Sequence, residues 1–248
     1  MHQKKVFITG CGRSGTHWLA RTFNNHPKFF TTIEKKPIIL FARMLASDKS
    51  RCDELLPKIY KEYEQELKTH PNKHYLDKSQ QIIWFIHYIV KRYPDALFLG
   101  IQREPYAAIS SMLVHGGIPR TLNTWNKFPV PNRYFGISKS ISKDYDQLST
   151  VERCALYWLT HKLRLRIVKN TFMDKVKIIQ YEKFATDTKK TLSEITTFIG
   201  LDKQLCSEDV TIESLTKWKS SMCVSDVNKI KGIVDDSYFT NNLLEIVK

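Results

Sequence analysis

Residues 10 to 17 read GCGRSGTH, placing Gly10, Gly12 and Gly15 around one fixed cation, Arg13, and two hydroxyls, Ser14 and Thr16. The apolar run KVFIT (5–9) precedes them. Behind them Trp18, Leu19, Thr22 and Phe23 recur at helical spacing. A glycine-rich turn between a strand and a helix aims backbone N–H groups at an anion, and the helix dipole adds to the attraction. Against the ATP-type pattern GxxxxGK[ST], Gly10 and Gly15 fit, but Thr16 takes the place of the lysine and His17 that of the magnesium-ligating hydroxyl. The segment reads as a phosphate site whose charge comes from Arg13 and which needs no obligatory magnesium. The plainer reading is a structural turn with Ser14 as an ordinary helix cap.

A second phosphate-binding pair stands in IQREPYAAISSML (101–113). Arg103 leaves a strand at its carboxyl edge, where ligands bind in open α/β sheets. Ser111 follows two helical turns along, so one guanidinium and one hydroxyl can grip the same phosphate. The alternative for Arg103 is an ion pair with Glu104 or another neighbour. Glu34 follows the run FFTTI and Lys78 ends the run HYLDK, again at strand ends. A carboxylate there can take a proton and an ammonium can neutralise a moving anion. The alternatives are surface pairs of Glu34 with Lys35 or Lys36, and of Lys78 with Asp77. His87, among the aromatics Trp84, Phe85 and Tyr88, reads as a core histidine.

These residues need a scaffold, and the pattern supplies one. Strands are expected at 5–9, 29–33, 74–78, 96–102 and 176–181. Helices are expected at 14–25, 37–46, 53–69, 80–93, 104–114, 151–172 and 184–201. In the long helix Val151, Ala155, Leu159, Leu163 and Ile167 recur every four residues, marking one apolar face. The alternation implies a single α/β domain with a central parallel sheet of about five strands and helices on both faces. Residues 116–150 break the rhythm with three prolines and three glycines. A structureless stretch of this length marks a functional loop region.

The whole chain sets outer bounds. Its 248 residues are 42% hydrophobic and 12% aromatic, enough for a full core. The 39 basic and 25 acidic side chains leave a net charge of +14, which favours an anionic partner. The basic residues are dispersed along the chain, which speaks against nucleic acid. The five cysteines are odd in number, without a CxxC pair or zinc-type spacing, so neither a disulfide framework nor a structural metal is expected. No run approaches the ~18 apolar residues of a membrane span, and the N-terminal VFI is too short for a signal-peptide core. Cytoplasm is the simplest compartment, with a lumenal domain lacking its anchor as the alternative.

The motifs together resemble the sulfotransferases that use 3′-phosphoadenosine 5′-phosphosulfate (PAPS), with a P-loop-like fold. GCGRSGTHWL is similar to their 5′-phosphosulfate loop, and Arg103 with Ser111 to their 3′-phosphate motif. YLDKSQ (75–80), IIQYEKFATDTKKTLSEITTFIGL (178–201) and LTKWKSSM (215–222) resemble stretches of the Golgi-type and bacterial branch. Gln80 and Thr188 stand where that branch has proline. The resemblance runs from residue 4 to about 220 and is weakest over 116–150.

It implies in-line transfer of a sulfuryl group without a metal, leaving adenosine 3′,5′-bisphosphate (PAP). Gly12, Arg13, Ser14, Gly15, Thr16 and His17 would hold the 5′-phosphosulfate. Arg103 and Ser111, with His115 nearby, would hold the 3′-phosphate, and Tyr181 would lie by the nucleotide. Arg13, Glu34 as base and Lys78 would be catalytic. The branch resemblance favours a carbohydrate hydroxyl or another small molecule as acceptor; from composition, the 116–150 loop offers Arg120, Trp125, Lys127, Arg133, Tyr134 and Phe135 for its pocket, which would also suit a phenol or a lipid headgroup. No nucleic-acid partner and no stable membrane insertion are expected. Two other functions stay open: a P-loop kinase using Mg-ATP, and a polyanion-binding module without catalysis.

Overall fold

The computed structural model describes residues 3–206 and 212–248. Its five strands are β1 (Lys5–Gly10), β2 (Phe29–Ile33), β3 (His74–Lys78), β4 (Leu97–Gln102) and β5 (Val176–Gln180). They run parallel in the order β2-β3-β1-β4-β5. In the first half of the chain the helices are α1 (Thr16–Asn24), α2 (Ile38–Ser47), α3 (Cys52–Thr69), α4 (Ile86–Arg92), α5 (Pro105–His115) and α6 (Gly117–Leu122). In the second half come α7 (Thr150–Thr171), α8 (Tyr181–Thr186), α9 (Thr188–Ile199), α10 (Glu213–Thr216), α11 (Trp218–Ser221), α12 (Val224–Val234) and α13 (Ser237–Ile246).

Side-chain alternation along the strands makes two cores. Val6 and Ile8 of β1 join Leu99 and Ile101 of β4 on the face covered by Leu19 and Phe23 of α1 and Leu192 and Ile195 of α9. Phe7, Tyr75 and Phe98 point the other way, into a larger core with α2, α3 and α7. Two-sided burial explains why β4, LFLGIQ, is almost continuously apolar. The parallel register aligns the strand ends: Ile8 of β1 pairs with Lys78 of β3 and with Leu99 of β4. The loops after β1, β2, β3 and β4 therefore leave from one edge, and Arg13, Glu34, Lys78 and Arg103 lie on or just beyond it.

All five expected strands are present, and several helices differ from expectation. Helix α1 starts at Thr16, because Gly15 at its N-cap has φ 92°, a left-handed conformation. Ser14 is no cap; its hydroxyl is buried without a partner among the described residues. The expected helix 80–93 splits into a 3-10 turn at Gln80–Trp84 and α4. The expected helix 184–201 breaks at Asp187, whose side chain accepts from the Lys190 N–H and caps α9. Thr188 thus sits at the first helical position, where a proline is equally at home. Residues 116–150 are not structureless: they hold α6, three 3-10 turns and a bridge between Asn132 and Ile137.

Helix α7 is buried well beyond one face, including Tyr157, Trp158, Thr160 and His161, because α5, α6, α12 and α13 pack around it. Helices α12 and α13 extend past the last stretch that the sequence patterns assigned. The expected core histidine His87 is only half-buried, beside Tyr88, while His161 fills that role in α7. The five cysteines are free thiols, with Cys11, Cys52 and Cys154 buried. Among the described residues no helix is long and apolar enough to cross a membrane.

Candidate active site

The turn after β1 carries the first part of the site. Among the described residues, Ser14 closes a tight turn over Gly12 and Arg13, while the N–H groups of Arg13 and Gly15 meet no carbonyl or side-chain acceptor of the protein. They stand with the open first turn of α1, whose N–H groups lack intrahelical partners. Arg13 itself has φ 67°, a conformation rare outside glycine that lifts its side chain off the turn. Its Nε donates to Ser111 Oγ at 3.1 Å, 98 residues away in sequence. Arg103 Nη1 donates to the Arg13 carbonyl at 3.1 Å, and its guanidinium lies 4.4 Å from the centre of the Tyr181 ring. The Tyr181 hydroxyl meets Ser214 Oγ at 2.9 Å, and Arg103 Nη2 donates to the Ser214 carbonyl.

Arg13, Arg103, Ser111 and Tyr181 thus converge, although the turn after β1, the turn after β4, α5 and α8 carry them. Arg103 does not pair with Glu104, which instead caps α5 by accepting from the Ala107 N–H at 3.1 Å. The Arg103 side chain is buried, which lowers its pKa, and its Nε has no partner among the described residues. Two adjacent guanidiniums, one with an unused N–H, form a setting that an anion of several charges would complete.

The second part lies across the loop. Lys78 is fully buried, and its ammonium makes a close ion pair with Glu34 and lies 3.1 Å from His17 Nδ1. Asp77 is not its partner. Consecutive strand residues face opposite ways, so Asp77 turns into the core, where it accepts from Thr32 at 2.9 Å and Tyr63 at 3.3 Å. Glu34 does not pair with Lys35, which pairs with Glu66. The Glu34 backbone has φ 48° and donates its N–H to the Lys78 carbonyl at 3.0 Å, pinning the residue over the end of β3. Among the described residues, Arg13 and Glu34 are the two non-glycine residues with positive φ. Such strain persists only where the surroundings impose it, and it clusters at functional sites.

Burial and charge act against each other here. Burial raises the pKa of Glu34, but the Lys78 charge and hydrogen bond outweigh it and hold the carboxyl below the usual range. Burial lowers Lys78 more than Glu34 restores it. Burial, then the Lys78 charge, lower His17.

The turn after β1 and the Lys78–Glu34 pair border one cleft of about 520 Å³, whose wall does not include Arg103, Ser111 or Tyr181. Gly12, Arg13, Thr16, His17, Arg21 and His115 wall it beside the loop, while Glu34, Arg43, Lys78 and Gln80 form its middle. Ile118, Thr121, Leu122, Tyr134, Phe135 and Tyr157 close the far side. Of the residues expected there from 116–150, only Tyr134 and Phe135 take part. The Arg120 Nε donates to the Gly116 carbonyl at 3.2 Å, holding the side chain against its own helix. Trp125 donates to Asp146 at 2.8 Å. Arg133 is buried against the Trp84 ring, and Lys127 does not reach the wall. Sequence reasoning missed Arg21, Arg43, Ile118, Leu122 and Tyr157. No motif marks them; they meet only because α1, α2, α6 and α7 converge on one edge of the sheet.

Comparison with known proteins gives a consistent result. No curated protein sequence matches the chain. Its fold is similar to a sulfotransferase domain from the curacin biosynthetic pathway, with TM-score 0.60 and 12% identity, covering 94% of this chain and 98% of that one. It is similar to a sulfotransferase from Alicyclobacillus acidocaldarius, with TM-score 0.52 and 18% identity over 97% of this chain and 100% of that one. A mouse sulfotransferase complexed with PAP also shares the fold, with TM-score 0.53 and 18% identity over 99% and 90%. The pattern of one family, described as the sulfotransferase family, matches residues 5–204. By that match over most of its length, the chain belongs to the sulfotransferase family.

Proposed function

We propose that the protein transfers the sulfuryl group of PAPS to an acceptor hydroxyl, with residues 1–248 forming one sulfotransferase domain and 116–150 contributing to the acceptor side. The observation that carries this reading is the meeting of Arg13, Arg103 and Ser111 above an open N–H turn, directly beside the Lys78–Glu34 pair. The PAP complex of the mouse sulfotransferase supports the same donor.

When bound, PAPS supplies the sulfuryl group and, as leaving group, its own 5′-phosphate. The protein's task is then positioning and charge stabilisation. The N–H groups of Arg13 and of Gly15 to His17, with the Thr16 hydroxyl, hold the 5′-phosphate. Arg13 stabilises the charge that gathers there as the sulfur–oxygen bond to it breaks. Arg103 and Ser111 hold the 3′-phosphate and so reject ADP, while Tyr181 packs beside the nucleotide. Glu34 takes the acceptor proton as the new sulfur–oxygen bond forms. Lys78 serves both partners. As it turns toward the sulfuryl oxygens its grip on Glu34 weakens, and the carboxylate becomes a stronger base at the moment a proton must be taken.

A carbohydrate hydroxyl is the acceptor in this reading, as the branch resemblance favours; the aromatic Tyr134 and Phe135 beside cations suit a sugar ring. Cytoplasmic location belongs to the same reading, since five free thiols suit a reducing compartment. A thermal-shift titration tests the donor. PAP at ~100 times its dissociation constant should add about 2.7 kcal/mol of stability without magnesium, and ADP should not. Stabilisation by Mg-ATP alone would establish a kinase. Stabilisation by heparin alone would establish a polyanion binder.

A further inference from the structure

Four fixed cations reach the cleft wall, Arg13, Arg21, Arg43 and Lys78, against one carboxylate, Glu34. Lys78 is matched by Glu34, and Arg13 is engaged with Ser111. Among the described residues, Arg21 and Arg43 have no ion pair. Their positions differ. Arg21 belongs to the last turn of α1, close enough to His17 for its charge to act there, and so stands by the phosphate loop. Arg43, exposed on α2, lines the cleft near enough to Glu34 and Tyr157 for its charge to act on both. It shares the cleft wall with the proposed base and with the apolar Ile118, Leu122, Tyr134 and Phe135, whereas Arg21 stands by the loop.

Resting on the sulfotransferase reading above, we propose that Arg43 selects an acceptor which carries its own anionic group, a carboxylate above all, next to the hydroxyl to be sulfated. An exposed guanidinium on the cleft wall, without an ion pair of its own, offers a forked donor for a planar carboxylate. Glu34 beside it repels an anion that approaches the wrong way round, so the acceptor hydroxyl, rather than its acid group, is directed to the base. The apolar floor takes the flat or aliphatic body of the same molecule. A neutral acceptor would leave Arg43 without a partner in the closed complex.

Matched acceptors test this. Transfer of labelled sulfate from PAPS is followed to 4-nitrophenyl β-D-glucuronide and to the corresponding glucoside. A second pair, 4-hydroxyphenylacetate and its amide, separates a sugar from a phenol acceptor. The acid should exceed its neutral twin in kcat/KM by about tenfold, equivalent to roughly 1.4 kcal/mol. In Arg43→Gln that ratio should fall to near one, and Arg43→Lys should keep part of it. A ratio near one in the unaltered protein, or an unchanged ratio in Arg43→Gln, overturns the proposal. If Arg43 served only to hold the Glu34 carboxyl ionised, acid and neutral members would fall together and the ratio would persist. PAP binding, measured on the same samples, shows separately whether the donor reading fails. Should none of the four be sulfated, they are titrated onto the PAP-loaded protein by thermal shift. Equal shifts for acid and neutral members then count against Arg43 as a selector.

Discussion

The loop side of the cleft is made of main chain, and its far side is made of side chains. Gly12, Arg13, Thr16 and His17, all on the cleft wall, belong to one short turn and the open first turn of α1. Arg43, Ile118, Phe135 and Tyr157 instead come from α2, α6, the chain between α6 and α7, and α7. A main-chain site depends on a turn geometry that few sequences satisfy, so it leaves a written pattern. A side-chain wall depends on packing between distant helices, and many sequences achieve it. On the proposed reading the first side holds the constant donor and the second the variable acceptor. Substitutions should therefore separate cleanly into donor effects and acceptor effects.

The largest effect is expected at Arg13, which belongs to the loop side by backbone and touches the transferring group by side chain. Arg13→Ala should lower kcat by about 10²–10³, the range typical for removing one preorganised charge-stabilising donor. Its thermal midpoint should stay near that of the unaltered protein, because the side chain is exposed and makes one hydrogen bond, to Ser111. Retention of full activity would remove Arg13 from the mechanism and, with it, the distinction between the two sides.

Glu34 sits on the seam between them. Glu34→Gln should lower kcat about 10²-fold, at the lower end for loss of a general base, and should change PAP affinity much less. The pH profile adds a sign. Glu34 acts as a carboxylate, and its pKa lies below the ordinary glutamate value of 4.5. The acid limb of kcat/KM should therefore lie below that value and vanish in Glu34→Gln. Lys78 acts as a cation, and burial holds it below the ordinary 10.5, so activity should fall on the alkaline side sooner than a free lysine would dictate. An acid limb that survives in Glu34→Gln places the base elsewhere.

How much of this was legible in sequence follows the same division. Arg13, Arg103 and Ser111 were readable because strand ends and helix starts fix their spacing, and the structure brings them together. Glu34 and Lys78 were readable as strand-end residues, but their pairing was not, since it depends on β2 and β3 being neighbours in the sheet. The expectation for Arg120, Trp125, Lys127 and Arg133 failed because composition says which residues a loop offers and nothing about where it folds. Arg133 shows this best: the backbone that turns Tyr134 toward the cleft turns its neighbour into the core, against Trp84. Arg43 was invisible for the opposite reason, since an arginine on an otherwise apolar helix carries no motif.

The smallest effect is the sharpest test of the boundary, because it compares two glycines three residues apart. At Gly15 φ is +92°, and an added Cβ would lie 2.4 Å from Cδ2 of Tyr181. That ring has little freedom to retreat, held by Arg103 at 4.4 Å and by the Ser214 hydroxyl at 2.9 Å. Gly15→Ala should therefore cost about 1–3 kcal/mol in stability and weaken PAP binding, since the displaced ring carries Arg103 with it. At Gly12 no left-handed backbone is required, and the nearest obstacle is Cδ1 of Ile118 at 2.6 Å, the far end of a flexible side chain. A rotamer change relieves it, so Gly12→Ala should cost about 1 kcal/mol or less. Its consequence should appear on the other side, as an altered KM for the acceptor through the shifted Ile118, with PAP affinity retained. Thermal unfolding and PAP titration of the two variants side by side measure both parts. Equal losses of PAP affinity would mean that the loop responds as one unit and that the line between main-chain and side-chain walls does not divide donor from acceptor.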